Sequence, residues 1–101
     1  MVAHIVVDEA RIAEFCRKHH IRKLAFFGSV LRDDFRPDSD VDVLVEFETG
    51  HTPGFIRLAG IEFELSELLG GRTVDMRTPE DLSQYFRDRV VRSAEIHYAG
   101  G

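Results

Sequence analysis

The chain has 101 residues, of which 44% are apolar and 31% charged, a composition typical of a soluble globular protein. This length predicts a single domain over residues 1–101, with loose ends at 1–7 and 99–101. The formal net charge of −5 argues against direct nucleic-acid binding, because such proteins present a basic face to the phosphates. No apolar run approaches the ~20 residues of a membrane span, and the N-terminus lacks the order of a signal peptide.

The hydrophobic pattern predicts helices and strands that alternate along the chain, which indicates an α/β (α+β) domain with a small mixed sheet. The predicted helices cover 8–20, 29–34 and 54–69, and a last helix begins at Thr78 and continues to about Ala94. The predicted strands cover 22–28, 41–47 and 72–77, with a short edge strand at 96–98.

The first predicted helix contains cysteine and histidine, two residue types that can act as a nucleophile or bind a metal. Cys16 is the only cysteine, so no internal disulfide can form, and a reducing, cytoplasmic location is predicted. We interpret Cys16 as core filler rather than a nucleophile, because it continues the apolar stripe of the helix. His19 and His20 could ligate a metal, but basic residues at a solvated helix end are the favoured interpretation.

Gly28 and Ser29 stand where a predicted strand gives way to a helix. Glycine allows a sharp turn and a close approach of ligand to backbone, and the free N–H groups of a helix start favour an anion. The serine adds a hydroxyl donor, so the pair predicts a phosphate cradle. Gly-Ser also occurs in many plain turns, and the pair alone does not decide between the two.

Three acidic residues are candidates for a metal site. Asp40 and Asp42 are two apart at the start of a predicted strand, so both side chains point to one face. Two carboxylates so close together repel each other unless a cation lies between them, and carboxylate oxygens are suitable ligands for Mg²⁺. Asp75 lies in a third, apolar strand, where it needs a ligand or a partner such as Arg72 or Arg77. Solvated acids at a strand end are the alternative for the first pair.

The spacing of these residues resembles a known family. The run GSVLRDDFRPDSDVD from Gly28 to Asp42, followed by a strand-borne aspartate, is similar to the polymerase-beta-like nucleotidyltransferases. In detail it resembles their minimal nucleotidyltransferase (MNT) antitoxin branch, and the resemblance covers residues 21–98. Further matches are LGGRTVD over 69–75, Thr78-Pro79-Glu80, and the ending from Val90 to Tyr98.

The resemblance implies a polymerase-beta-like fold and a Mg²⁺-dependent enzyme, with two ions expected. The chain is similar to members of this family that transfer AMP from ATP to a tyrosine of a cognate HEPN RNase toxin and release pyrophosphate. By the same resemblance, Asp40, Asp42 and Asp75 hold metal, Asp75 also helps activate the hydroxyl, and Gly28, Ser29 and Arg32 contact phosphates. One departure is Asp33, which stands after Arg32 where many relatives carry glycine, and it places nucleotide affinity in question.

Three functions are consistent with the sequence. The first is the protein adenylyltransferase, which is an enzyme. The second is a non-catalytic antitoxin that neutralises its toxin by contact alone, since a small domain gains from a partner's buried surface. The third is a nucleotidyltransferase for a small molecule such as an antibiotic, which is disfavoured because those relatives usually carry an extra helical domain.

Overall fold

The computed structural model describes residues 8–28 and 40–100, with only the backbone of Tyr85 and Phe86 considered. The predicted short helix at 29–34 therefore lies outside the described residues, as do Ser29, Arg32 and Asp33. In the described part of the chain, no helix combines the length and the apolar character that crossing a membrane requires.

The elements in chain order are α1 (Glu9–Lys18), β1 (Ile21–Phe27), β2 (Val41–Phe47), α2 (Phe55–Leu68), β3 (Val74–Arg77), a 3₁₀ turn (Pro79–Asp81), α3 (Gln84–Ser93) and β4 (Glu95–Ala99). The four strands form one mixed sheet in the order β3-β2-β1-β4, which confirms the predicted fold class. Strand β1 pairs antiparallel with both β2 and β4, whereas β2 and β3 are parallel.

Helix α1 begins where the sequence predicts, because Asp8 caps it. The Asp8 carboxylate accepts hydrogen bonds from the backbone N–H groups of Ala10 and Arg11, at 3.1 and 3.2 Å. The helix buries Ile12, Phe15 and Cys16. Burial raises the pKa of the Cys16 thiol to about 12, only partly offset by the charge of Arg17. Cys16 is therefore an inert part of the core, as predicted.

The two faces of the sheet carry two apolar clusters of different size. The larger cluster lies under α1 and α2 and takes the alternate residues Val41, Val43 and Val45 of β2. The smaller one lies on the opposite face and consists of Phe27, Leu44, Leu82 and Val90. Because side chains alternate along β2, Asp42 shares the face of the smaller cluster. The candidate site residues therefore lie beside this thinner apolar layer.

The last predicted helix is wrong in one respect, because residues 78–94 do not form a single helix. The Asp81 carboxylate accepts hydrogen bonds from the backbone N–H and hydroxyl of Thr78, which closes a single 3₁₀ turn. Leu82 then adopts an extended backbone conformation, with φ −95° and ψ 143°, and its side chain enters the smaller cluster. Helix α3 begins only at Gln84.

The end of the chain also differs from the prediction of a loose tail at 99–101. Ala99 is the last residue of β4 and pairs with Lys23 of β1. The N–H of Gly100 donates to the carbonyl oxygen of Arg22 at 2.8 Å. Strand β4 is therefore longer than the predicted edge strand at 96–98, because β1 offers it backbone partners that the sequence pattern does not reveal.

Candidate active site

Gly28 is the first residue after β1, and its conformation places backbone directly against Asp42. It has a φ of +73°, which side chains of L-residues rarely allow. A Cβ built on Gly28 would overlap the carboxylate oxygen Oδ2 of Asp42. Glycine is thus required here for two reasons: the backbone turn and the close approach of a carboxylate.

Asp42 and Asp75 are direct neighbours in the sheet. They pair in register across the parallel strands β2 and β3, so both side chains lie on the same face, with about 5 Å between the strands. On its other side Asp42 pairs with Phe27, the residue before Gly28. Gly28, Asp42 and Asp75 therefore form a row across three strands at one end of the sheet, which we call the acidic row.

Asp40 lies two residues before Asp42, immediately ahead of β2, and its side chain is exposed. The sequence predicts that it points to the same face as Asp42, and this stays a prediction because Asp40 lies outside β2. The three carboxylates are not tightly clustered. Among the described residues, Asp40, Asp42 and Asp75 do not each place a carboxylate oxygen within 4.8 Å of the other two. The sheet thus aligns the acids without packing them into a closed cage.

Arg77 supplies the positive charge at this site. Its Nε and terminal guanidinium nitrogen donate to the two carboxylate oxygens of Asp75, at 3.1 and 3.3 Å. This hydrogen-bonded pair raises the pKa of Arg77, and the charges of Asp75, Asp81 and Asp42 add to the effect. The sequence offered Arg77 as a structural partner for Asp75, and the structure confirms that contact. Arg77 is therefore also a neighbour of the whole acidic row.

Replacing Arg77 with glutamine is expected to make the fold depend more on a divalent cation. Without the guanidinium, Asp42 and Asp75 lose the charge that offsets their repulsion. The melting temperature in EDTA should fall by a few degrees, and added Mg²⁺ should then raise it more than in the wild type. Arg57→Gln, on the exposed side of α2, is the matched control. An equal Mg²⁺ effect in Arg77→Gln and wild type would contradict this role.

A cavity of about 380 Å³ opens over the acidic row, within the range of small-ligand sites. Two polar residues that the sequence analysis did not assign to the site, Asp81 and Ser83, line it beside Asp42, Asp75 and Arg77. Asp81 is the last residue of the 3₁₀ turn that follows β3, and this turn places it at the cavity. Arg77 was detectable, since it lies two residues after Asp75 and so shares its face.

The residues present fit a hard divalent cation. Asp42 and Asp75 offer carboxylate oxygens side by side, and Asp40 can add a third from an exposed position. Mg²⁺ takes few protein ligands of this kind and completes its shell with water and phosphate oxygens, so an open carboxylate row suits it better than a closed cage.

Comparison with known proteins decides the family. The family model described as a nucleotidyltransferase domain matches residues 9–98, nearly the whole chain. The chain belongs to the nucleotidyltransferase domain family. It is also 34% identical to the protein adenylyltransferase MntA of Thermococcus cleftensis over 79 residues, which cover 78% of this chain and 77% of that protein. The nucleotidyltransferase class that the family resemblance implied is thereby confirmed.

Solved structures agree on the fold of this nucleotidyltransferase. A minimal nucleotidyltransferase structure shares 36% identity and a TM-score of 0.70, with 85% of each chain covered. A second neighbour is the complex of a tri-AMPylated HEPN toxin of Shewanella oneidensis with its MNT antitoxin. It has a TM-score of 0.65 at 20% identity and covers 90% of this chain and 69% of that one, so it supports the fold alone. The roles of the individual site residues stay predictions.

Proposed function

We propose that this nucleotidyltransferase is an antitoxin that transfers AMP from ATP to a tyrosine of a HEPN-domain RNase toxin. The observation that carries the proposal is the acidic row, in which Gly28, Asp42 and Asp75 meet on one face beneath an open cavity. The name of the Thermococcus relative and the AMPylated toxin of the Shewanella complex support the choice of a protein acceptor.

In the proposed reaction the tyrosine oxygen attacks the α-phosphorus of ATP in line with the bond to the β-phosphate oxygen. A new oxygen–phosphorus bond forms, pyrophosphate leaves with the electrons of the broken bond, and the tyrosine proton is released. Bound Mg²⁺, proposed as two ions held by Asp40, Asp42 and Asp75, would neutralise negative charge on the phosphates. Ser29 and Arg32 are proposed to contact the phosphates beside Gly28.

Asp75 has a second proposed task, which is to accept the proton of the attacking hydroxyl. Both of its oxygens already receive hydrogen bonds from Arg77, so the carboxylate has a fixed orientation on β3. Arg77 in turn lies near enough to Asp42 and Asp81 for their charges to act on it. Catalysis on this view rests on positioning and on charge that the sheet arranges in advance.

The direct test is transfer of label from ATP that carries it on the α-phosphate. The protein, Mg²⁺ and the purified HEPN partner are expected to give a labelled toxin, and the Asp40→Ala plus Asp42→Ala variant is expected to give none. Label on the γ-phosphate should not be transferred, which separates adenylylation from phosphorylation. An unlabelled toxin with the wild type, or equal labelling by the double variant, would refute the proposed enzyme.

A non-catalytic antitoxin is the second candidate, and the surface of α2 favours it. Phe55 and Ile56 are 92% and 93% exposed, and Phe63 is 67% exposed. Exposed apolar side chains of this size are typical of surfaces that a partner covers. If the double aspartate variant neutralises the toxin fully without labelling it, binding rather than transfer is the mechanism.

The cytoplasm is the proposed compartment. The only cysteine, Cys16, is buried in the larger cluster, where no disulfide partner exists in the sequence. A chain of this composition gains nothing from an oxidising environment. An adenylyltransferase that uses ATP also needs the compartment in which that nucleotide is held.

A further inference from the structure

Three metal-ligating side chains meet at the opposite end of the sheet from the acidic row. They are His20, Glu48 and His51, and one ligand atom from each lies within 4.8 Å of the others. Glu48 lies six positions after Asp42 along the direction of β2, a distance of about 20 Å. We call this group the histidine cluster, and its position makes it independent of the candidate active site.

The backbone holds the histidine cluster together from two directions. His20 follows the end of α1 with a φ of +57°, a conformation that costs energy for a residue other than glycine. Its carbonyl oxygen accepts the N–H of Glu48 at 2.8 Å, which joins the start of β1 to the end of β2.

A tight turn then places His51 beside Glu48. The N–H of His51 donates to the carbonyl oxygen of Glu48 at 2.9 Å, which closes a four-residue turn. Gly50 is the third residue of this turn and has a φ of +81°, as a type II turn requires. The turn therefore returns the chain so that two side chains three residues apart face the same point.

The side chains themselves are close but loosely paired. The rings of His20 and His51 stack with centroids 3.9 Å apart and planes 13° from parallel. Nδ1 of His20 lies 3.7 Å from Oε1 of Glu48, which is longer than a hydrogen bond. Both side chains of this pair are 45% exposed, so water can reach the cluster. His19 is not a member, because its Nε2 contacts Glu64 at 3.1 Å.

We propose that the histidine cluster binds a transition-metal ion of the zinc class. Two imidazole nitrogens and one carboxylate oxygen form a ligand set that Zn²⁺ favours, at about 2.0–2.2 Å from each atom. Ligand atoms around such an ion are about 3.4 Å apart by tetrahedral geometry, so the present spacing needs to close by at most about 1.5 Å. Rotation of one half-exposed ring turns its in-plane lone pair toward the ion.

A metal ion bound here would cross-link two loops. The ion would join the α1–β1 connection, through His20, to the turn between β2 and α2, through Glu48 and His51. It would bind the folded chain more tightly than the unfolded one, and so raise stability by mass action. The fourth coordination position stays open to water at the surface.

The test is calorimetric titration of Zn²⁺ into the full chain without a polyhistidine tag. We expect one ion per chain, with affinity reduced at least about tenfold in both His51→Ala and His20→Asn. Asparagine is chosen at position 20 because it tolerates the left-handed backbone conformation. Titration of the Asp40→Ala plus Asp42→Ala variant should give the same zinc affinity as wild type, which separates this site from the acidic row.

Glu48→Gln and Glu67→Gln form a matched pair, since both remove one carboxylate charge and Glu67 lies exposed on α2. Only Glu48→Gln should weaken zinc binding, and only the cluster variants should lose the rise in melting temperature on adding Zn²⁺. His51 lies exposed in a turn, so His51→Ala carries the test if His20→Asn does not fold. A wild type that binds no zinc, or a His51→Ala variant that binds it equally well, overturns the proposal.

Discussion

Asp42→Asn is expected to lower the rate of AMP transfer at least about 100-fold while leaving the protein folded. Asp42 occupies the middle of the acidic row, where it pairs in register with Asp75 and touches Gly28. Asparagine keeps the size of the side chain and removes its charge, so the loss isolates the contribution of the carboxylate to cation binding. The measurement is the initial rate of label transfer from α-labelled ATP to the toxin at saturating Mg²⁺.

Glu46→Gln is the matched control for Asp42→Asn. Both acids lie on β2 and point to the same face, four residues apart. Glu46 pairs with Arg22 and Lys23 at the other end of the strand, away from the acidic row. The control should transfer AMP within about twofold of the wild type, since the loss of a largely surface ion pair costs little. If both variants lose activity alike, the effect is one of general charge and not of a cation site.

Gly28→Ala is expected to lower both stability and activity. The positive φ alone costs about 1–2 kcal/mol with a Cβ present. The new methyl group would also occupy the position of the Asp42 carboxylate oxygen and displace it from the acidic row. We therefore expect a lower urea midpoint together with a transfer rate reduced beyond what the unfolded fraction explains.

Gly60→Ala is the matched control, because the same glycine-to-alanine change is expected to raise stability at this position. Gly60 lies within α2, and apart from its chain neighbours and the helix's own backbone nothing lies within 4 Å of an added Cβ. Alanine there should raise the free energy of unfolding by about 0.5–1 kcal/mol, because glycine is a weak helix former. A Gly28→Ala variant that unfolds and transfers AMP like the wild type would show that the contact between Gly28 and Asp42 has no functional role.

Local patterns predicted most elements because each is set by neighbouring residues. The predicted strand at 41–47 coincides with β2, whose alternate valines face the larger cluster and whose other face carries Asp42 and Leu44. The prediction for 78–94 was wrong because two local signals were combined into one helix. The cap at Thr78 and Asp81 closes a single turn, and burial of Leu82 in the smaller cluster then extends the backbone.

The sequence by itself identified the acidic residues and the glycine of the candidate site, and its resemblance to known proteins indicated the family. It also predicts that Asp40 and Asp42 share a face, since side chains alternate in any strand. Only the tertiary structure decided that Asp75 lies beside Asp42, that Asp81 joins them, and that His20 meets Glu48 and His51. Asp42 and Asp75 are 33 positions apart, and the pairing of β2 with β3, which depends on the packing of the whole sheet, brings them together. The 3₁₀ turn places Asp81 beside them, and the turn after β2 places His51 beside Glu48.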